Sequence, residues 1–269
     1  MLLPYHDDNP TERFPWLTVL LIATNVLVHI HMSRLPERER YRLTYQYGFV
    51  PIQLTQLYLR RPVVIDGRYL PAELRDELQR QHQRYDTVLT FWRAKGVPGE
   101  VVLPPQPAPR VLRSIITSMF LHGSWLHLVG NMWFFWLFGN NVEDRLGPFR
   151  FLLFYLLGGI IAALAHYAAY PTSVVPTIGA SGAISAALGA YAITWPHARV
   201  HCLVYMIVLT TVRIPALLFI GLWFLGQLLG VLGSGNEVGS GIAWWAHIGG
   251  FLAGIGMMIW LAPRERTSE

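Results

Sequence analysis

Residues 149–170 read FRFLLFYLLGGIIAALAHYAAY, an apolar run whose only charged side chain is Arg150. A helix of about 20 apolar residues is long enough to cross the ~30 Å hydrocarbon core of a bilayer. The surrounding sequence is similarly poor in charge, since residues 114–262 hold only three carboxylates: Glu143, Asp144 and Glu237. The sequence therefore predicts a helical membrane protein and excludes a soluble domain.

The composition of the whole chain agrees with a lipid environment. Charged residues make up 14% of the 269 residues, well below the ~25% that is usual in soluble domains. The net charge of +5 does not indicate nucleic-acid binding, because the arginines form no stripe that alternates with stacking aromatic residues. Cys202 is the only cysteine, which excludes an intrachain disulfide. We expect the lipid bilayer as a partner, and no nucleic acid, cofactor or metal ion.

Six segments are predicted to cross the membrane. Their predicted bounds are Pro15–Met32, Met119–Gly139, Phe149–Tyr170, Ala180–Trp195, Ile214–Leu232 and Ile242–Leu261. The fourth segment is short for the hydrocarbon core, so its first residues are expected to lie below the membrane surface. The apolar run His201–Thr211 is rich in β-branched residues and is interpreted as a re-entrant or interfacial connection rather than a seventh span. The expected fold is an all-α membrane protein, a bundle of six transmembrane helices with a long inserted first loop.

The arginines predict the orientation of the bundle. If the N-terminus is cytoplasmic, the short inside segments contain the following arginines: Arg13, Arg145, Arg150, Arg199, Arg213, Arg264 and Arg266. The short outside loops, Pro171–Gly179 and Gly233–Gly241, contain none. This asymmetry agrees with the positive-inside rule. Both termini are therefore expected in the cytoplasm, and the chain is expected in a bacterial inner (plasma) membrane.

The predicted organisation of the chain has five parts. They are a cytoplasmic N-terminal segment (1–14), a first transmembrane helix (15–32), a long outside loop (33–114), a five-helix membrane core (115–262) and a cytoplasmic tail (263–269). The long loop contains a charged, predicted helix (Pro71–Gln83), the dipeptide Trp92-Arg93 and a Pro-rich stretch over residues 98–109. It is either an inserted subdomain or a partly disordered linker.

Polar side chains are costly at membrane depth, so polar clusters in the predicted spans are candidates for function. Such clusters stand at the starts of the second, fourth and sixth spans: HGSWLHLVGN (122–131), GASG (179–182) and AHIGG (246–250). Under the predicted orientation these spans all begin on the outer side. The clusters are therefore expected to lie at one depth, where together they can form a site.

The first cluster supplies directed hydrogen-bond donors. His127 and Asn131 are four residues apart, so they share one face of a helix. Such a pair suits an oxyanion hole, although two polar residues that join neighbouring helices are an equally good interpretation. A metal site formed by His122 and His127 is less favoured, because a five-residue spacing puts the two side chains on different helix faces.

The second and third clusters supply a serine and a histidine. Ser181 is flanked by Gly179 and Gly182 at a helix start, where backbone N–H groups and the helix dipole favour a developing negative charge. His247 shares a helix face with Gly250 and Gly254, and Ser181 shares one with Ser185 and Gly189. Such small residues let two helix backbones approach closely. Such packing would bring the serine oxygen within ~3 Å of the imidazole. Glycines that serve packing alone, around a buried histidine, are the alternative.

Together, the three clusters resemble those of the rhomboid intramembrane serine proteases. The family's patterns His-x4-His-x3-Asn, Gly-x-Ser-Gly and Ala-His-x2-Gly-x3-Gly occur here in order, beginning at His122, Gly179 and Ala246. The resemblance covers residues 119–261. It implies an intramembrane serine endopeptidase that cleaves transmembrane protein substrates.

The resemblance also implies a role for each residue of the site. Ser181 would be the nucleophile and His247 the general base of a Ser–His dyad. His127, Asn131 and the backbone N–H of Ser181 would bind the oxyanion. His122 would be a structural residue at the rim of the site, and the glycines beside Ser181 would support it.

Two features depart from the family's pattern. Ser185 stands where many members have an aromatic residue on which the catalytic histidine packs. Arg113-Ser114 stands where members have a Trp-Arg pair. What orients His247 is therefore an open question, and so is the structure of the first loop.

A carboxylate partner for His247 is not expected. Glu143 and Asp144 follow the second span on the cytoplasmic side, a membrane thickness from Ser181, and Glu237 is interpreted as a solvated loop charge.

Two other functions are alternatives. One is a catalytically inactive relative that binds transmembrane helices, and the other is a membrane haem or metal protein with the following candidate ligands: His29, His122, His127, His166 and His247. Neither the substrate nor the oligomeric state follows from the sequence.

Overall fold

The computed structural model describes residues 2–60, 63–66, 100–103, 105–205, 209–234 and 241–261. The helices in these ranges are α1 (Trp16–Ser33), α2 (Glu37–Tyr47), α3 (Pro51–Leu59), α4 (Ala108–Thr117), α5 (Trp125–Phe134), α6 (Asn140–Leu146), α7 (Pro148–Ala169), α8 (Ser181–Thr194), α9 (Ala216–Ser234) and α10 (Trp244–Leu261). The strands are β1 (Leu2–Asp7), β2 (Val63–Asp66), β3 (Glu100–Leu103), β4 (Arg199–Tyr205) and β5 (Leu209–Pro215). A 3₁₀ turn covers Ser118–Phe120, and a π-helical segment covers Phe135–Gly139.

The predicted helical membrane bundle is confirmed. By length and composition, α1, α7, α9 and α10 are each able to cross a membrane. The second predicted span, Met119–Gly139, contains α5 and the π-helical segment, and α6 continues it beyond its predicted end to Leu146. The fourth, α8, has 14 residues. At 1.5 Å per residue it is about 21 Å long, shorter than a ~30 Å hydrocarbon core. The number of spans stays a prediction.

The second span begins at Trp125, six residues after its predicted start at Met119. The reason is Ser124, whose Oγ accepts a hydrogen bond from the backbone N–H of His127 at 3.1 Å and thereby caps the helix. Before this cap the chain forms the 3₁₀ turn and then a loop that contains His122. The prediction that His122 and His127 share one helix is therefore wrong, and the argument from helical spacing does not apply to this pair.

Helix α8 lies at the centre of the bundle, and its side chains are buried continuously from residue 182 to residue 192. It packs against α7 and, more extensively, against α10. The contact with α10 depends on glycine. A Cβ on Gly250 would overlap the carbonyl oxygen of Gly182, and a Cβ on Gly254 would overlap that of Ala186. The predicted close approach of these two helix backbones is confirmed.

A three-stranded antiparallel sheet in the order β1–β4–β5 accompanies the helices. The described residues of the run His201–Thr211, 201–205 and 209–211, belong to β4 and β5, which pair with each other. A paired β-strand was not expected from the interpretation of this run as a re-entrant segment, and its placement at the membrane interface stays a prediction. Pairing with β1 at one edge satisfies backbone groups of β4, and β-branched residues suit strands. Asp7 at the end of β1 joins the sheet to the bundle, because its Oδ2 accepts hydrogen bonds from Tyr191 and Asn141.

Residues 49–55 of the long first loop pack against the end of the bundle at which α8 begins. Phe49, between α2 and α3, is fully buried. Its backbone pairs with that of Thr177, which lies shortly before α8. Strands β2 and β3 pair antiparallel to each other. The predicted helix Pro71–Gln83 and the dipeptide Trp92-Arg93 lie outside the described residues.

Candidate active site

Ser181 and His247 lie in the first turns of α8 and α10 and face each other where these helices are in contact. The distance between Ser181 Oγ and His247 Nε2 is 2.8 Å, which is a hydrogen-bond distance. Both side chains are partly buried. The packing of α8 on α10 through glycine thus holds a hydroxyl within proton-transfer range of an imidazole.

The chain before α8 has an unusual backbone at Gly179. Its φ of +124° lies in a region that L side chains rarely adopt. A Cβ at this position would lie 2.9 Å from the Cε1 and Nε2 atoms of His127 and 3.8 Å from Ser181 Oγ. Gly179 therefore allows the imidazole of His127 to lie close to Ser181. Gly182 serves helix packing instead, since a Cβ there would lie 2.6 Å from the Cβ of Ala162 on α7.

Asn131 lies one turn after His127 on α5 and is largely buried. Its Nδ2 donates a hydrogen bond to the backbone carbonyl of His127 at 2.8 Å. An amide nitrogen carries two hydrogens, so this bond leaves one for a second acceptor. This bond lies within α5 and does not join neighbouring helices, which was the alternative interpretation of Asn131. Its role as a donor to an oxyanion stays a prediction.

His122 is buried in the loop before α5, beside the candidate oxyanion residues. Its ring and that of His127 are 5.0 Å apart between centroids. The ring of His29, from α1, lies 6.4 Å from that of His122. Within the described ranges, however, no three His, Cys, Asp or Glu side chains are grouped so that they could hold a metal ion. The position of His122 agrees with a structural role at the rim of the site.

The carboxylates of the second span lie at its far end and bind the start of α1. Glu143 is buried, and its two oxygens accept hydrogen bonds from the backbone N–H groups of Leu17 and Thr18 at 2.9 and 2.7 Å. Asp144 accepts from the backbone N–H of Arg13 at 3.0 Å. A carboxylate at a helix N-terminus is favourable, because it binds N–H groups that lack a partner within the helix. Glu143 and Asp144 thus have a structural explanation.

Gln227, on α9, is a neighbour of the candidate site that the sequence-based prediction missed. Its Oε1 lies 2.7 Å from Nδ1 of His247, the ring nitrogen that faces away from Ser181. The signal was present in the sequence, because Gln227 is an amide in the middle of the otherwise apolar helix ALLFIGLWFLGQLLGVLGS. A polar group at membrane depth requires a partner.

Comparisons with known proteins identify the family. A family model described as Rhomboid domain matches residues 109–264. The human presenilin-associated rhomboid-like protein, mitochondrial, is 28% identical over 178 residues, which cover 62% of this chain and 44% of the relative. The zebrafish (Danio rerio) presenilin-associated rhomboid-like protein A, mitochondrial, is 30% identical over 179 residues, with coverages of 62% and 43%. Rhomboid protein 1, mitochondrial, of Saccharomyces cerevisiae is 30% identical over 154 residues, with coverages of 53% and 40%.

These relatives also bear on the predicted location. All three are described as mitochondrial proteins. The prediction of a bacterial inner membrane is wrong, because these relatives are mitochondrial. The prediction of a multi-pass membrane protein is consistent with them. The chain spans less than half the length of these curated relatives.

The family model covers more than half of the chain and contains every residue of the candidate site. It includes α5, α8 and α10, the helices on which the three polar clusters stand. This protein belongs to the rhomboid family.

Proposed function

We propose that this protein is an intramembrane serine endopeptidase that hydrolyses peptide bonds in or near transmembrane helices of membrane proteins. Membership of the rhomboid family supports an intramembrane protease-like function. The observation that carries the proposal is the 2.8 Å contact between Ser181 Oγ and His247 Nε2. An inactive relative that only bound transmembrane helices would not need this contact. The names of the relatives favour a mitochondrial membrane.

The proposed reaction uses Ser181 as nucleophile and His247 as general base. Ser181 Oγ forms a bond to the carbonyl carbon of the substrate amide, and its proton moves to His247 Nε2. When the tetrahedral intermediate collapses, the C–N bond breaks and the leaving amine takes that proton from Nε2. A water molecule then attacks the acyl-enzyme with the same assistance from His247, which releases the acid and restores the serine.

The negative charge of the tetrahedral intermediate would be bound at the start of α8. The backbone N–H of Ser181 lies in the first turn of that helix, where the dipole favours an anion. The absence of a side chain at Gly179 leaves space for the imidazole of His127 near Ser181, and Asn131 has a second amide hydrogen to donate. A substrate helix with small or helix-breaking residues would expose its amide most readily, because lipid strongly favours intact helix.

Labelling with a serine-directed fluorophosphonate, alongside cleavage of a single-span substrate, tests this function. We expect the wild-type protein to be labelled and active. Ser181→Ala should lose both properties, and His247→Ala should lose cleavage, while both variants still insert and fold. Ser33→Ala is a matched control, because this exposed serine at the end of α1 donates to the carbonyl of Ile30 and lies outside the site. Wild-type turnover in Ser181→Ala, or an unlabelled wild-type protein without activity, would overturn the proposal.

A further inference from the structure

Gln227 is a buried amide whose two polar atoms both have partners. Its Nε2 donates to the backbone carbonyl of Trp223 at 3.0 Å, one turn earlier on α9. Its Oε1 faces His247 Nδ1 at 2.7 Å. The carbonyl of Trp223 can only accept, so the amide nitrogen has to face it and the amide oxygen has to face the imidazole. The orientation of the Gln227 amide is therefore determined by its surroundings.

This orientation determines which nitrogen of His247 carries the proton. An amide oxygen only accepts, so Nδ1 has to be the N–H of the neutral ring. The lone pair of Nε2 then points at Ser181 Oγ, 2.8 Å away. This tautomer is the one that a general base needs, because Nε2 must be free to take the serine proton.

We propose that Gln227 is a positioning residue of the reaction: it selects the Nδ1–H tautomer of His247 and holds the ring against Ser181. The inference rests on the proposed protease function. In this arrangement a neutral amide on a third helix, α9, takes the place that a carboxylate has in a Ser–His–Asp triad. The hydrogen bond strengthens when His247 becomes an imidazolium, since bonds to charged groups are stronger than neutral ones.

The surroundings of the imidazole agree with support from α9. Ser185 has no ring on which His247 could pack, and its buried hydroxyl donates to the backbone carbonyl of Ser181 at 2.7 Å. The ring that lies against His247 from α9 belongs to Trp223, with centroids 6.0 Å apart and planes inclined by 36°. Gln227 and Trp223 are one turn apart, so one face of α9 supplies both contacts.

The other groups near His247 offer no acidic partner in the part of the chain that the structure describes. The described titratable side chains that couple electrostatically to His247 are His127 on α5 and His166 on α7, and neither is acidic. Glu143 binds the start of α1 instead. Glu237 lies outside the described residues, so the experiment includes it as a rival.

The decisive variant is Gln227→Met, which keeps the length of the side chain and removes the acceptor. A hydrogen bond to a group that becomes charged corresponds to about 10–150-fold in rate. We expect kcat and the rate of fluorophosphonate labelling of Ser181 to fall by about that factor, with KM little changed. Asn25→Leu is a matched control, because Asn25 is another buried amide that donates to the carbonyl four residues earlier, on α1 and away from His247. It should label at the wild-type rate.

Gln227→Glu separates positioning from a merely structural role. The carboxylate retains an acceptor, so most of the activity at neutral pH should remain. An anion beside the imidazole favours its protonated form, so the acid limb of the kcat–pH profile should move to higher pH. This measurement tests the proposal even if Gln227→Met does not fold. A folded Gln227→Glu whose kcat–pH profile has its acid limb at the wild-type position would overturn the proposal.

Two further outcomes would overturn the positioning role. One is a folded Gln227→Met that labels at the wild-type rate. The other is a loss of ~10⁴ in kcat for Glu237→Gln, which would make Glu237 the triad partner. If the wild-type protein is not labelled at all, it is the protease function that fails and not the role of Gln227 within it.

Discussion

Gly250→Ala tests whether the close packing of α8 and α10 creates the candidate site. Gly250 lies three residues after His247, and a Cβ there would overlap the carbonyl oxygen of Gly182, the residue after Ser181. That carbonyl belongs to the helix backbone and cannot rotate away as a flexible side chain would. The added methyl group therefore has to be accommodated by movement of one helix relative to the other.

The size of this movement follows from ordinary contact distances. Real Cβ atoms essentially never come within 3.0 Å of another heavy atom, so relief of the overlap requires a separation of roughly 1 Å or more. A movement of that size away from α8 would lengthen the 2.8 Å distance between Ser181 Oγ and His247 Nε2 to about 3.8 Å. No hydrogen bond exists at that distance, and a misplacement of about 1 Å at a catalytic centre costs ~10²-fold in rate.

The assay is the rate of fluorophosphonate labelling, measured together with thermal stability in the same detergent. We expect Gly250→Ala to label ~10²-fold more slowly and to lose about 1–3 kcal/mol of stability from overpacking. Gly256→Ala is the matched control, because it lies on the same helix and a Cβ added there would have no other atom within 4 Å. Wild-type labelling in Gly250→Ala, or equal damage in Gly256→Ala, would refute the idea that this glycine sets the distance between the two side chains.

Two further variants test the oxyanion donor and the docking of the N-terminal strand. Asn131→Ala should lower kcat by ~10²–10³ while Ser181 remains open to labelling, because it would remove one proposed donor to the oxyanion. Unchanged kinetics would leave Asn131 only with its hydrogen bond inside α5. Burial raises the pKa of Asp7 above its usual value, so its stabilising contribution is present at acidic pH and is lost as the pH rises through the raised pKa. Asp7→Asn lacks this titration, and its thermal stability should depend less on pH between mildly acidic and neutral conditions; equal slopes for the two proteins would contradict this explanation.

The transmembrane helices and the contact between α8 and α10 could be predicted, because a bilayer places strong physical constraints on the sequence of a membrane protein. A bilayer requires about 20 apolar residues per helix and allows two backbones to touch only through small residues. Gly250 and Gly254 were recognised in this way, and the structure places both against backbone carbonyls of α8. The roles of Ser181 and His247 stay predictions.

The β-sheet could not be predicted from local pattern. Strand β4 pairs with β1, which lies about 200 residues earlier in the chain, and neither strand is stable without such a partner. The β-branched residues of His201–Thr211 argued against a seventh span, but the run was interpreted as a re-entrant or interfacial connection, and no strand was predicted. The start of the second span was misplaced for a different reason. The capping hydroxyl of Ser124 outweighs the apolar residues that precede it, and residues 118–120 form a 3₁₀ turn.

Gln227 was missed because the predicted site rested on the polar clusters at the starts of the even-numbered spans. A glutamine in the middle of an apolar helix is as costly in lipid as a histidine is at a helix start, and the same rule applies to both. Which group satisfies its amide depends on how α9 is rotated against α10. A nearly uniform apolar helix gives no signal for that rotation, so the partner of Gln227 became visible only with the tertiary structure.

A neutral partner for His247 suits a site at membrane depth. Burial of a carboxylate costs several kcal/mol even after relaxation, and an aspartate at the centre of a transmembrane helix costs about 2.5–3.5 kcal/mol on insertion. Gln227 provides an acceptor oxygen without that charge, and its other amide atom is satisfied by the carbonyl of Trp223 within α9. A neutral acceptor also stabilises the imidazolium less than a carboxylate does. Proton transfer at this site should therefore be slower than in a soluble Ser–His–Asp triad. The cost of a charge at membrane depth favours a glutamine over a carboxylate as the partner of His247.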